Sequence, residues 1–253
     1  MAGVFSKFLF GACGVLLTCL PARASSVAIV QGSFYTSNLK NNLVAAGQTV
    51  TEISTYTAAS LASYDSVIVY GNDFADMAAL TAYAQGGGTV VETPWFWLNN
   101  SPPTDLQVFS NGGGTDFSTS YPGVSVLLPL DPLLQGVTIP AGSGGFNIGR
   151  TSGNTFASGV TAVANWLDGT AFIGHKALGS GQVIGINMHV ITSDTAYQVI
   201  DQSWATRLFV NASQGQAPVV APLPSTATVG MVLLGLMGLW RCCAMYKDQT
   251  VRC

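Results

Sequence analysis

Apolar and polar positions follow a regular order from about residue 27 to 93 and again from about 161 to 208, with an irregular stretch between. Val27-Ala28-Ile29-Val30 is a continuous apolar run, the mark of a strand buried on both faces. Ser33 can cap a helix that carries Leu39, Leu43 and Val44 inward and stops at Gly47. Thr49–Ile53 is β-branched and predicts a second strand, and Ser66–Tyr70 a third. Asp73 is placed to cap a helix with Met77, Leu80 and Ala84 inward, ended by Gly86-Gly87-Gly88. Thr89–Thr93 is the fourth strand. Strands separated by helices of this length predict right-handed, parallel βαβ units.

From about 94 to 159 that order is lost. Pro, Gly, Ser and Asn dominate, with apolar pieces at 124–130 and 135–139, so the segment reads as a long insertion with a few short antiparallel strands. Strand signals return at Thr161–Ala164, Thr170–Gly174 and Gln182–Asn187, the last two joined by the turn Gly179-Ser180-Gly181. Ser193 or Asp194 then caps a final helix carrying Ile200, Trp204 and Leu208 on one face. The expected class is α/β: a mainly parallel sheet of at least five strands with helices on both faces.

Both ends carry a different pattern. Residues 1–24 have Lys7, an apolar core from Phe8 to Leu20, and Ala22 and Ala24 flanking Arg23, which predicts a signal peptide cut by signal peptidase before Ser25. Residues 218–253 form a tail in which Val219–Trp240 has no charge, and a transmembrane helix is expected at about 226–246, followed by basic residues on the cytoplasmic side. The exported region, 25–217, lies between them.

Composition sharpens the picture at two points. Charged residues are only 8% of the 253-residue chain. Between residues 25 and 218 four cations face eleven carboxylates, a net of −7, which disfavours nucleic acid as a partner. All five cysteines lie in the two end segments, so the exported domain has no thiol nucleophile, disulfide or thiolate metal site. Two histidines 14 residues apart, in no HxH or HExxH spacing, predict no metal centre, and no loop predicts a cofactor.

The tail, read as Pro222-Leu223-Pro224, an apolar Leu- and Gly-rich helix and then Arg241, resembles a PEP-CTERM sorting signal. That resemblance implies processing by an exosortase-like enzyme, a location at the cell envelope or surface, membrane-anchored before sorting, and contact with exopolysaccharide. Three further segments, Tyr64–Gly71, Leu80–Val91 and Leu178–Ile186, resemble the class I glutamine amidotransferase-like fold, a flavodoxin-like three-layer arrangement. Catalytic members of that family hold a Cys on a strand-to-helix elbow. Here the fourth strand runs into Thr93-Pro94-Trp95, so a non-catalytic member is implied.

In a parallel sheet ligands bind beyond the carboxyl ends of the strands. The residues expected there are Gln31, Tyr35, Asn72, Trp95 and Trp97 for binding, the two indoles as platforms for sugar rings. Asp73 and His189 are the one candidate acid–base pair, and they define the alternative function, a secreted glycan-acting hydrolase.

Overall fold

The computed structural model describes residues 25–31, 37–70, 76–110, 115–140, 147–190 and 202–214. Its centre is an eight-stranded sheet. Four strands come from the first third of the chain: β1 (Ser26–Gln31), β2 (Thr49–Ile53), β3 (Ser66–Tyr70) and β4 (Thr89–Glu92). Four more follow: β7 (Val124–Val126), β10 (Thr161–Trp166), β11 (Ala171–Leu178) and β12 (Gly181–Ile186). The order is β2-β1-β3-β4-β12-β11-β10-β7. Pairings from β2 through to β12 are parallel, and those of β12 with β11, β11 with β10 and β10 with β7 are antiparallel. The sheet is thus a parallel half of five strands joined at β12 to an antiparallel half.

The apolar runs explain the parallel half. Val27, Ile29 and Ile68 are wholly buried on one face, and Ala28, Val30, Val67 and Val69 on the other. One face is covered by α1 (Ser37–Ala45) through Leu39 and Leu43, and by α5 (Ser203–Ser213) through Trp204 and Leu208. The other is covered by α2 (Ala58–Leu61), α3 (Met77–Gln85) and α4 (Pro94–Asn99), which supply Leu61, Leu80, Tyr83, Phe96 and Trp97. This is the expected α/β class with helices on both faces, in a sheet that is mixed, four parallel pairings and three antiparallel, where a mainly parallel one was expected, and it is consistent with an amidotransferase-like fold.

Details differ from the sequence expectations. Val44 is half exposed rather than inward. The N-cap of α3 is Asp76, whose carboxylate accepts from the Ala79 amide at 2.8 Å, and Asp73 lies outside the described residues. Capping by Asp76 puts the helix start three residues later than Asp73 would, because only a side chain at the N-cap reaches the free amides of the first turn. The last helix begins at Ser203; Ser193, Asp194 and Ile200 lie outside the described residues.

The insertion does hold short antiparallel strands: β5 (Phe109–Ser110) with β9 (Thr155–Phe156), and β6 (Thr115–Ser120) with β8 (Asn147–Thr151), while β7 joins the main sheet as its edge. Among the described residues it makes no core of its own. Leu106, Val108 and Phe109 pack under α4, and Tyr121, Leu133 and Ile148 join the α5 side. Among the described residues no helix is long and apolar enough to cross a membrane, and the segment expected at 226–246 lies outside them.

Candidate functional site

The carboxyl ends of β1, β3, β4 and β12 share one edge of the sheet, and the crossover order places its switch point between β1 and β3. Gln31 ends β1 in register with Tyr70 at the end of β3. Tyr35, Asn72 and Asp73, expected just beyond these ends, lie outside the described residues, as do Ala22, Ala24, Pro222, Leu223, Pro224 and Arg241.

At the end of β4 the structure corrects the expectation for the aromatic triplet. Trp95-Phe96-Trp97 is not a strand end with alternating rings but the body of α4. Thr93, ahead of Pro94, is held extended at φ −123° and ψ 169°, and Pro94 then opens the helix at a position where its missing N–H costs nothing. Helical spacing sends the rings in different directions. Trp97 is 1% exposed, its ring 4.7 Å from Phe109 and its indole N–H donating to the Thr151 hydroxyl at 3.4 Å. It is a core residue rather than an outward sugar platform. Trp95 is half-buried and packs toward the other face.

That face is where His189 lies. Asn187 and Met188, bent so that the Met188 amide donates to the Ile186 carbonyl at 2.8 Å, connect β12 to it, and its ring centroid comes within 5.2 Å of Trp95. Its backbone N–H donates to the Gly149 carbonyl at 2.8 Å, so β8 of the insertion roofs the site. His189 is fully buried, and burial pushes its pKa down to about 3. The imidazole is therefore neutral throughout the physiological range and supplies no imidazolium acid. Of the residues expected at this edge, the structure brings Trp95 and His189 together and sends Trp97 elsewhere.

Thr93 is the residue between β4 and α4. Its hydroxyl is fully buried and donates to the Val69 carbonyl at 3.1 Å. Among the described residues no non-glycine residue has a positive φ. The strained elbow that projects a nucleophile into a pocket is absent at this junction.

Several polar groups at this end escaped the sequence analysis. Asn187 is wholly buried and makes four bonds: its Nδ2 donates to the carbonyls of Thr151 and Ala171, both at 2.9 Å, and its Oδ1 accepts from the Thr151 amide and hydroxyl, both at 2.8 Å. It ties the insertion to the end of β12. Glu92, 1% exposed on β4, has its carboxyl lifted well above the usual carboxylate range by burial, with the Val108 amide and the Lys176 ammonium pulling the other way. Lys176 in turn donates to the carbonyls of Thr104 and Gln107 at 2.6 and 2.8 Å. A lone acid after Thr-Val-Val in a buried strand was the available signal for Glu92. The other histidine, His175, has a carboxylate partner: its Nε2 is 3.0 Å from Asp131. That pair sits on the antiparallel half, away from the ends of the parallel strands.

No protein-family model and no curated protein matches the sequence. Solved structures do match in fold. A cytoplasmic protein from Salmonella typhimurium is 12% identical, with 75% of this chain and 98% of that one covered and a TM-score of 0.53. A protein described as ThuA-like from Parabacteroides merdae is 12% identical, covering 80% and 94%, with a TM-score of 0.56. A glutamine amidotransferase from Thermotoga maritima is more distant, 9% identical with a TM-score of 0.47 over 76% and 96% of the two chains. At these identities what is shared is the fold alone.

Proposed function

We propose that the chain is an exported, surface- or matrix-associated protein whose α/β domain is non-catalytic, processed at its ends by signal peptidase and an exosortase-like enzyme, and in contact with exopolysaccharide. The observation that carries the non-catalytic part is Thr93. The one hydroxyl at the junction where the fold's nucleophile belongs is buried and spent on the Val69 carbonyl. Acyl transfer needs a nucleophile held beside a base that titrates near neutrality, and His189 at about 3 is a poor one. The same burial works against a glycan hydrolase that moves a proton between Asp73 and His189.

Export and sorting rest on the end segments, 1–24 and 218–253. Contact with polysaccharide rests on the implied sorting route and, within the domain, on Trp95 as the half-exposed aromatic ring beside the strand ends. The experiment has two arms. Mass spectrometry of the protein recovered from its native envelope or medium should give a first residue of Ser25 and a last residue near Pro224; an intact Met1 and Cys253 there would overturn the processing. Incubation of the full chain with glutamine, amide, ester and glycoside reporters should give no turnover. Turnover lost in Thr93→Ala or in His189→Ala, with the fold retained, would overturn the non-catalytic assignment.

A further inference from the structure

At the junction of β8, β10 and α5 a buried guanidinium sits in a ring cluster. Arg150 has a side chain 6% exposed, and its Nη2 donates to Asp168 at 2.6 Å. Its guanidinium carbon lies 5.6 Å from the centroid of Trp166. The other face of Trp166 stacks on Phe172 at 3.8 Å, and Tyr121 lies 5.9 Å from Trp166 and 6.0 Å from Trp204. Four buried donors in this cluster, Nε and Nη1 of Arg150 and the indole N–H groups of Trp166 and Trp204, meet no acceptor among the described residues.

Such groups are costly to leave unmet, about 1–3 kcal/mol each and more for a charged one. Guanidinium and indole are donors only. A water that served them would bring two protons of its own and need acceptors in return, and the Asp168 carboxylate beside Arg150 already accepts from Nη2 and from the Thr170 amide. A hydroxyl has the same defect. An anion does not. The charge nearby is Asp168, so each further negative charge is repelled and a monoanion is favoured over sulfate or phosphate. Trp166 is fully buried, stacked on Phe172 and approached by Arg150, which favours a compact ion over a sugar or aromatic acid.

We infer that Arg150, with the indole N–H groups of Trp166 and Trp204, forms a buried site for a small monovalent anion, a halide such as chloride. Bound there, the ion joins the insertion strand β8 to β10 and α5, and the stability of the fold rises with halide concentration by mass action.

The test uses the purified full chain at constant ionic strength. Replacing sodium gluconate by sodium chloride should raise Tm along a saturating curve, and bromide should quench a saturable part of the tryptophan fluorescence. Trp204→Phe keeps the ring and deletes one donor, so the apparent halide dissociation constant should rise about tenfold, the worth of one hydrogen bond to a charged partner. Arg150→Met should abolish the saturable response, and if that variant does not fold, Trp204→Phe alone decides. Equal Tm in gluconate and chloride, strictly linear bromide quenching, sulfate matching chloride at equal sodium, or an unchanged halide affinity in Trp204→Phe would each overturn the site.

Discussion

The two halves of the sheet are held together by different chemistry. In the parallel half, from β2 to β12, Val27–Val30, Ser66–Tyr70 and Thr89–Glu92 are buried on both faces, and cohesion comes from aliphatic packing against helices. The antiparallel half and its insertion bury Arg150, Thr151, Asn154 and Asn187, and rely on Asp168, on the Asn187 bonds and on the rings Tyr121, Trp166, Phe172 and Trp204. A strand covered by helices on both sides needs only apolar side chains. Short strands folded back by glycines leave backbone and side-chain donors that must be matched one by one. The parallel half is therefore tolerant of conservative apolar exchange, and the antiparallel half is not tolerant of losing a single partner.

The largest effect is expected where the antiparallel half stores most apolar area in one side chain. Trp166→Ala removes a fully buried indole stacked on Phe172 and should destabilise by about 3–5 kcal/mol, whereas Val67→Ala in the parallel half should cost about 1–3 kcal/mol. Urea denaturation of the three proteins measures both. Equal losses would break the contrast between the halves.

Asn187→Ala comes next. Four buried bonds end with it, and the Thr151 amide and the carbonyls of Thr151 and Ala171 lose their partner, so a loss of about 3 kcal/mol is expected. Hydrogen exchange should show the Thr151 amide opening well before the β1 and β3 amides. Uniform loss of protection across the sheet would mean that the insertion and the parallel half unfold as one unit.

How much of this was legible follows from the same contrast. The parallel strands were readable because burial on both faces writes itself as an unbroken apolar run, and βαβ spacing then fixes the topology. The α4 helix was not, since three alternating-size aromatics after Thr93-Pro94 fit a strand end as well as a helical turn, and nothing within three residues separates period 2 from period 3.6. The site was legible only as an edge. Trp95 and His189 do meet, 94 residues apart in sequence, because β4 and β12 are neighbours. The partners of Arg150 and His175 were invisible, for Asp168 and Asp131 reach them through strand pairing and a turn that no local pattern announces.

The mildest effect is a pH dependence in the parallel half, where β4 buries the carboxyl of Glu92. Burial raises the Glu92 carboxyl above its ordinary value, so the folded protein keeps a proton that the unfolded chain releases. The stability this contributes is fully present below the unfolded pKa and is lost as pH rises toward the folded one, at up to about 1.4 kcal/mol per pH unit. Glu92→Gln keeps the shape and has no proton to lose. Near pH 4 the variant should match the parent within about 1 kcal/mol, the range expected for an isosteric exchange of one neutral hydrogen-bonding group for another. On raising the pH toward neutrality the parent should lose stability relative to the variant, against the gain that both share as the unfolded chain's His189 loses its proton. His189 adds no slope above pH 7, because it is neutral there in both states, so His189→Gln should leave the curve parallel to the parent's in that range. Urea midpoints measured from pH 4 to 8 read all three curves. A parent whose stability instead rises with pH relative to Glu92→Gln would mean that Glu92 is ionised in the fold, with Lys176 outweighing burial, and the parallel half would then bury a charge as the antiparallel half buries that of Arg150.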